Sequence, residues 1–189
     1  MLDALQGLNI YLIGMMGTGK TTIGKILAQK LSYRFFDTDV LVERVVEKSI
    51  NDLFAEEGEA YFRDLESQVL NHLSAYGRSV IATGGGIVLR PLNWSYLRDG
   101  LTIWLDAPVD LLVERLAEDN TRPLLKTDEL PHKLTTLLAD RKNLYQEADL
   151  HILIEAKESP DAIADKILNA IPTVLKNQQE AFQNGNENN

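Results

Sequence analysis

The sequence predicts an α/β domain: one parallel sheet with helices on both faces. Two observations carry that prediction. Short apolar runs without alternation (NIYLI at Asn9–Ile13, SVIAT at Ser79–Thr83, LTIWL at Leu101–Leu105) are separated by helix-length amphipathic stretches. That is the pattern of βαβ units whose strands are buried on both faces. The first run also leads directly into Gly14-Met15-Met16-Gly17-Thr18-Gly19-Lys20-Thr21. This octapeptide fits the phosphate-binding pattern GxxxxGK followed by Ser or Thr at every fixed position.

The remaining elements follow in order. A helix is expected from Lys20 to Leu31, with Ile23, Ile26, Leu27 and Leu31 as its apolar stripe. Arg34–Phe36 reads as the second strand, ending in Asp37-Thr38-Asp39. Val40 to Glu57 reads as broken helix with a cap at Ser49 or Asn51, and Glu59 to Tyr76 as a longer helix. After the third and fourth strands come helices over Val109–Glu118 and His132–Glu147, a fifth strand at His151–Ile154, and a last helix opened by Pro160 and ending near Leu168. Asp119–Pro131 is polar, holds two prolines and is expected to be a loop or lid.

Bulk properties bound the function. A chain of 189 residues with 44% apolar content is enough for one domain, expected over residues 1–175. Lys176–Asn189 is Asn or Gln at eight of its fourteen positions and is expected to be a disordered tail. A formal net charge of −9 argues against a nucleic-acid partner, which requires basic surface. With no cysteine the chain has no disulfide, thiol nucleophile or zinc–thiolate site. The first fourteen residues carry no basic leader and no apolar stretch is long enough to span a bilayer, so a cytoplasmic location without membrane partners is expected.

The chemistry of the glycine-rich loop follows from its spacing. Glycines let successive N–H groups turn inward on phosphate oxygens, and the helix that follows adds its unpaired N–H groups and positive dipole end. Lys20 is placed to reach the β and γ phosphates, and the Thr21 hydroxyl to ligate Mg²⁺. The loop alone does not separate kinases from GTPases, ATPases or ligases.

The ends of the second and third strands lie on the sheet edge where ligands bind in doubly wound folds. Asp37 and Asp39, two apart, would present both carboxylates to one side if the strand continued, one organising Mg²⁺ and the other accepting a bond or proton from a substrate hydroxyl. A plain cap at Asp39 is the competing reading. Gly84-Gly85-Gly86 would expose backbone amides for close approach of a carboxylate or phosphoryl group. No acidic residue follows the third strand directly, which leaves Asp37 as the candidate for metal. Arg63, with Glu66 three residues on, Arg122 in the lid and Arg141 in the next helix are candidates to meet anionic groups; Arg90 and Arg98 read as surface ion-pairing residues.

Taken together, these motifs resemble the shikimate kinases from Asn9 to about Ile171: the loop Gly14–Thr21, the triplet Asp37-Thr38-Asp39, Phe62-Arg63, Gly84–Gly86, Thr121-Arg122-Pro123-Leu124-Leu125, and Arg141 followed by Tyr145. The resemblance implies a P-loop, nucleoside-monophosphate-kinase-like fold with strand order 2-3-1-4-5, a substrate-binding region over residues 38–65 and a lid over 117–131. It implies transfer of the γ-phosphoryl of ATP to the 3-hydroxyl of shikimate, with Mg²⁺, by a monomer. By the same resemblance Asp39, Arg63, Gly84, Gly85, Gly86 and Arg141 would bind shikimate, the two arginines clamping its carboxylate. Gly14, Gly17, Thr18, Gly19, Lys20, Thr21, Thr22 and Arg122 would hold the nucleotide phosphates, with Thr21 and Asp37 at Mg²⁺. Arg115 and Pro160 would flank adenine, and Lys20, Asp39 and Arg122 would be catalytic. The rival readings are a gluconate kinase or a nucleoside monophosphate kinase of the same fold, and a nucleotide-binding regulatory protein without catalysis.

Overall fold

The computed structural model describes residues 5–118 and 129–186, with side chains described up to residue 117 and from 129 to 176. Five strands, β1 (Ile10–Ile13), β2 (Arg34–Asp37), β3 (Ser79–Ala82), β4 (Leu101–Asp106) and β5 (Leu150–Leu153), form one sheet in the order β2-β3-β1-β4-β5. Every pairing is parallel; Ile10 stands opposite both Val80 and Leu101, and Ile103 opposite Leu150. β1 and β3 are buried at every position, because strands covered by helices on both faces have no side for water.

Seven α-helices are described: α1 (Lys20–Leu31), α2 (Thr38–Val46), α3 (Ile50–Ser74), α4 (Pro91–Leu97), α5 (Val109–Glu118), α6 (Leu130–Tyr145) and α7 (Pro160–Asn186). α1 places Ile23, Leu27, Ala28 and Leu31 in the core and packs against β3 and α7. Leu12, Leu27 and Ile81 are buried in that core, where truncation to Ala costs about 2–5 kcal/mol.

Several boundaries differ from those expected. The second strand ends at Asp37, and Thr38 already begins α2. The cap is therefore Asp37, whose Oδ1 accepts from the amides of Asp39 and Val40 at 3.1 and 3.3 Å, and not Asp39. The division expected between two helices near residue 58 survives as a kink inside α3, where Gly58 adopts φ 82° and ψ 171°. Ser49 caps that helix, its hydroxyl accepting from the Asp52 amide at 3.1 Å. α4 was not expected from the sequence; it is a two-turn helix opened by Pro91, too short to show a clear apolar period. The last helix runs to Asn186, past Leu168 and into the Asn- and Gln-rich stretch, which offers no proline after Pro172 to stop it.

A second, smaller core lies beside the main one. Val42, Leu53 and Phe62 are buried together, with the Phe54 and Phe62 rings 4.9 Å apart. It joins α2 to the first half of α3 and fixes where Arg63 emerges.

Candidate active site

The C-terminal ends of β1, β2 and β3 open onto one cavity of about 760 Å³. Around it lie Gly17, Gly19, Lys20, Thr21 and Thr22 from the first loop and helix, Asp37 and Asp39 after β2, Arg63 and Glu66 from α3, Gly84–Gly86 after β3, and Arg141 from α6. The order of strands reverses across β1, so ligand space opens there, as doubly wound sheets allow.

The glycine-rich loop curls tightly around its own lysine. Lys20 Nζ donates to the carbonyls of Gly14 and Met15 at 2.9 and 2.8 Å, and the Thr18 hydroxyl donates to Met15 at 2.9 Å. Gly19, at φ 90°, precedes the first turn of α1 and aims that turn's N–H groups at the cavity. Thr21 Oγ1 donates to Asp37 Oδ2 at 2.6 Å. The capping carboxylate of α2 is thereby tied to the helix that follows the loop.

Two hard oxygen donors side by side at the mouth of a phosphate loop suit Mg²⁺, which is commonly held by one or two protein oxygens together with nucleotide phosphates. Among the described residues no cluster of three or more His, Cys, Asp or Glu could hold a metal by itself.

Arg115 lies in α5 and donates from Nη1 to the carbonyls of Gly17 and Thr18, each at 3.3 Å. It thus braces the outer side of the loop and does not line the cavity. Pro160 is exposed at the start of α7 and is also outside the lining. Arg122 and most of the expected lid fall outside the described residues.

The other half of the cavity is built on charge. Arg63 donates from Nη1 to Glu66 Oε2 at 2.9 Å and from Nη2 to Glu59 Oε1 at 2.9 Å. Glu66 is completely buried while Glu59 is largely exposed. Burial pushes the Glu66 carboxyl above the usual carboxylate range; Arg63 pulls it back, the nearby Asp39 charge raises it further and Arg141 lowers it. Burial works against the Arg63 charge, but Glu66 and Glu59 outweigh it and the guanidinium is held more firmly protonated.

The triple glycine has a packing reason that spacing alone did not reveal. A Cβ on Gly84 would collide with the carboxylates of Glu66 and Asp39, and one on Gly86 with the Arg63 guanidinium. The missing side chains therefore admit protein charges, which in turn face the cavity. The Gly84 amide donates to Thr38 Oγ1 at 3.0 Å, so that group is used inside the fold. Arg141 Nη1 reaches the Gly85 carbonyl at 3.3 Å.

The i,i+3 spacing marks Glu66 as a partner of Arg63, but only the structure reveals that its carboxylate is buried. Phe54 and Phe62 also line the cavity, and only their places in the second core reveal it. Arg90 pairs with Asp64 at 2.6 Å and Arg98 with Glu147 at 2.8 Å, both away from the cavity.

Comparison with known proteins extends this geometry. The family model described as "Shikimate kinase" matches residues 16–172. A shikimate kinase of Rippkaea orientalis is 62% identical over 179 residues, covering 95% of this chain and 96% of that protein. A shikimate kinase of Microcystis aeruginosa is 56% identical over 174 residues, covering 92% of each. The solved structure of shikimate kinase from Acinetobacter baumannii in complex with shikimate superposes with a TM-score of 0.85 at 38% identity, covering 92% of this chain and 98% of that one.

Proposed function

The chain belongs to the shikimate kinase family, and we propose that its cavity holds shikimate between Arg63, Arg141 and the triple-glycine turn, with Asp39 beside the reacting hydroxyl. It is a kinase that transfers phosphate from ATP to an alcohol group of shikimate. The family match sets aside the gluconate kinase, nucleoside monophosphate kinase and regulatory readings. The observation that carries the assignment of roles is the meeting of Lys20, Asp39, Arg63, Gly84–Gly86 and Arg141 around one cavity.

The acceptor is a polyol carrying a carboxylate, and the cavity supplies what each end requires. Arg63 and Arg141 offer planar donor forks that meet a carboxylate's two oxygens. The amides of Gly85 and Gly86 are better candidates than that of Gly84, which already serves Thr38. Asp39 receives the hydroxyl proton as the oxygen of the 3-hydroxyl forms its bond to the γ-phosphorus and the bond to ADP breaks.

The donor end is the loop. Gly14, Gly17, Thr18, Gly19 and Thr22 surround the phosphates, and Lys20 stabilises charge on the migrating phosphoryl group. Thr21 and Asp37 would hold Mg²⁺, which supplies charge neutralisation at the phosphate oxygens when bound. Arg122 would close over the phosphates from the lid, and Arg115 and Pro160 would border the adenine. These roles rest on the family resemblance and on the positions of the neighbouring residues.

The same reading takes the enzyme as a cytoplasmic monomer that binds neither nucleic acid nor membrane. The net charge of −9 favours it, and among the described residues no helix is long and apolar enough to cross a membrane. The deciding assay is ADP release from Mg·ATP with shikimate, gluconate and AMP offered separately. Shikimate alone should stimulate release; stimulation by gluconate or AMP without shikimate overturns the substrate assignment.

A further inference from the structure

Tyr145 ends α6 one turn after Arg141 and is completely buried. Its hydroxyl donates to the Gly85 carbonyl at 2.6 Å, the same carbonyl that Arg141 Nη1 reaches at 3.3 Å. It also lies 3.7 Å from the sulfur of Met15 in the phosphate loop. The ring is stacked on Trp104 of β4, with centroids 5.8 Å apart and planes 20° apart, so packing fixes the position of the hydroxyl oxygen. One buried hydroxyl therefore touches the glycine turn after β3 and the loop after β1 while sharing a helix face with Arg141.

We infer that Tyr145 is a positioning residue for the acceptor: by holding the Gly85 carbonyl it sets both the orientation of the Gly86 N–H and the reach of Arg141 toward the substrate carboxylate. The inference rests on the reading of Gly85, Gly86 and Arg141 as acceptor-binding groups.

The physical case is geometric. Gly85 carries no side chain, and a Cβ there would meet nothing nearer than 3.5 Å, so packing does not by itself fix the peptide plane. A carbonyl anchored by a hydroxyl at 2.6 Å turns the following N–H to the opposite side, because the peptide unit is planar. Without that anchor Arg141 would be the remaining donor to this carbonyl among the described residues, and each reorientation of the turn would move it. Burial pushes the Tyr145 phenol up, against the opposing effect of Arg141, so the hydroxyl keeps its proton and remains a donor through the neutral range.

Tyr145→Phe removes the oxygen and keeps the ring stacked on Trp104. Losing one net hydrogen bond predicts a rise of about three- to tenfold in KM for shikimate, with KM for ATP changed by less than about twofold. A merely structural role would lower the melting temperature and leave both KM values alone, and that outcome overturns the inference. Arg141→Ala, measured beside it, separates two failures. If that variant leaves shikimate KM unchanged, the acceptor assignment itself is wrong. If it raises KM while Tyr145→Phe does not, only the positioning role fails.

A measurement on the unsubstituted enzyme guards against a variant that does not fold. With carbonyl-¹³C glycine, the Gly85 resonance should be shifted in the direction of a strongly hydrogen-bonded carbonyl. A Gly85 resonance indistinguishable from that of a solvent-exposed glycine overturns the inference.

Discussion

Arg63 and Glu66 are one helical turn apart and form an ion pair at 2.9 Å in which the carboxylate is wholly buried. A buried pair broken on one side is costly, because the group left behind keeps its desolvation penalty. Arg63→Ala should therefore destabilise the fold by about 3–5 kcal/mol, as well as weakening shikimate binding. Denaturant melts at neutral pH check the first effect, and shikimate KM the second. Stability within about 1 kcal/mol of the unsubstituted enzyme would mean that Glu66 is paired elsewhere or takes up a proton once Arg63 is gone.

The pH dependence has a definite sign. Burial raises the Glu66 carboxyl above its ordinary value of 4.5, so between that value and its folded value the native state holds more protons than the unfolded one. Stability from this group is accordingly present below that window and falls as pH rises through it. Glu66→Gln should flatten that part of the stability profile. Thermal melts across the acid range will show it, and an unchanged slope rules out Glu66 as its source.

Glu59 occupies the other edge of the Arg63 fork, bonded to Nε at 3.2 Å and Nη2 at 2.9 Å, and is largely exposed. A carboxylate substrate approaching Arg63 competes with it. Glu59→Gln should lower shikimate KM by less than about fivefold, since exposed pairs are weak, and added salt should shrink the difference. A higher KM would show that Glu59 orients the guanidinium and does not compete for it.

Asp37 caps α2 and also accepts from Thr21. Asn caps helices about as well as Asp, so Asp37→Asn separates the two duties. The expected result is a melting temperature close to that of the unsubstituted enzyme with a higher Mg²⁺ concentration needed for half-maximal rate. An unchanged Mg²⁺ requirement removes Asp37 from the metal.

Asp39→Asn keeps the shape of the residue and removes its charge. Turnover should fall by about 100-fold or more, the usual scale of a lost acid–base group, with ATP KM nearly unchanged. Near-normal turnover would reduce Asp39 to a hydrogen-bonding role.

Much of the architecture was legible because its signals are contiguous. A glycine-rich octapeptide between an apolar run and an amphipathic helix needs no distant partner to be recognised, and helix-length separations between buried strands imply parallel pairing. The fold class and the bounds of α1 and α5 follow from such local patterns, which also narrow the cap of α3 to Ser49 or Asn51; the structure selects Ser49. Short elements were the weaker part: α4 has too few turns to declare a period, and the end of β2 was obscured because Asp37 closes a strand and caps a helix at once.

The kind of site is legible in the residues alone: a triphosphate loop, acids after the second strand, a glycine turn after the third and arginines to meet an anion. How these groups use one another depends on contacts between distant parts of the chain. Thr38 meets Gly84 across 46 residues, and Arg141 and Tyr145 meet Gly85 across 56 and 60. Gly84 leaves space for Glu66 and Asp39, Gly86 leaves space for Arg63, and Glu66 is buried. Periodicity reports which face of an element is apolar, whereas desolvation and steric fit depend on what other elements bring to the same point. That information is in no single stretch of the chain.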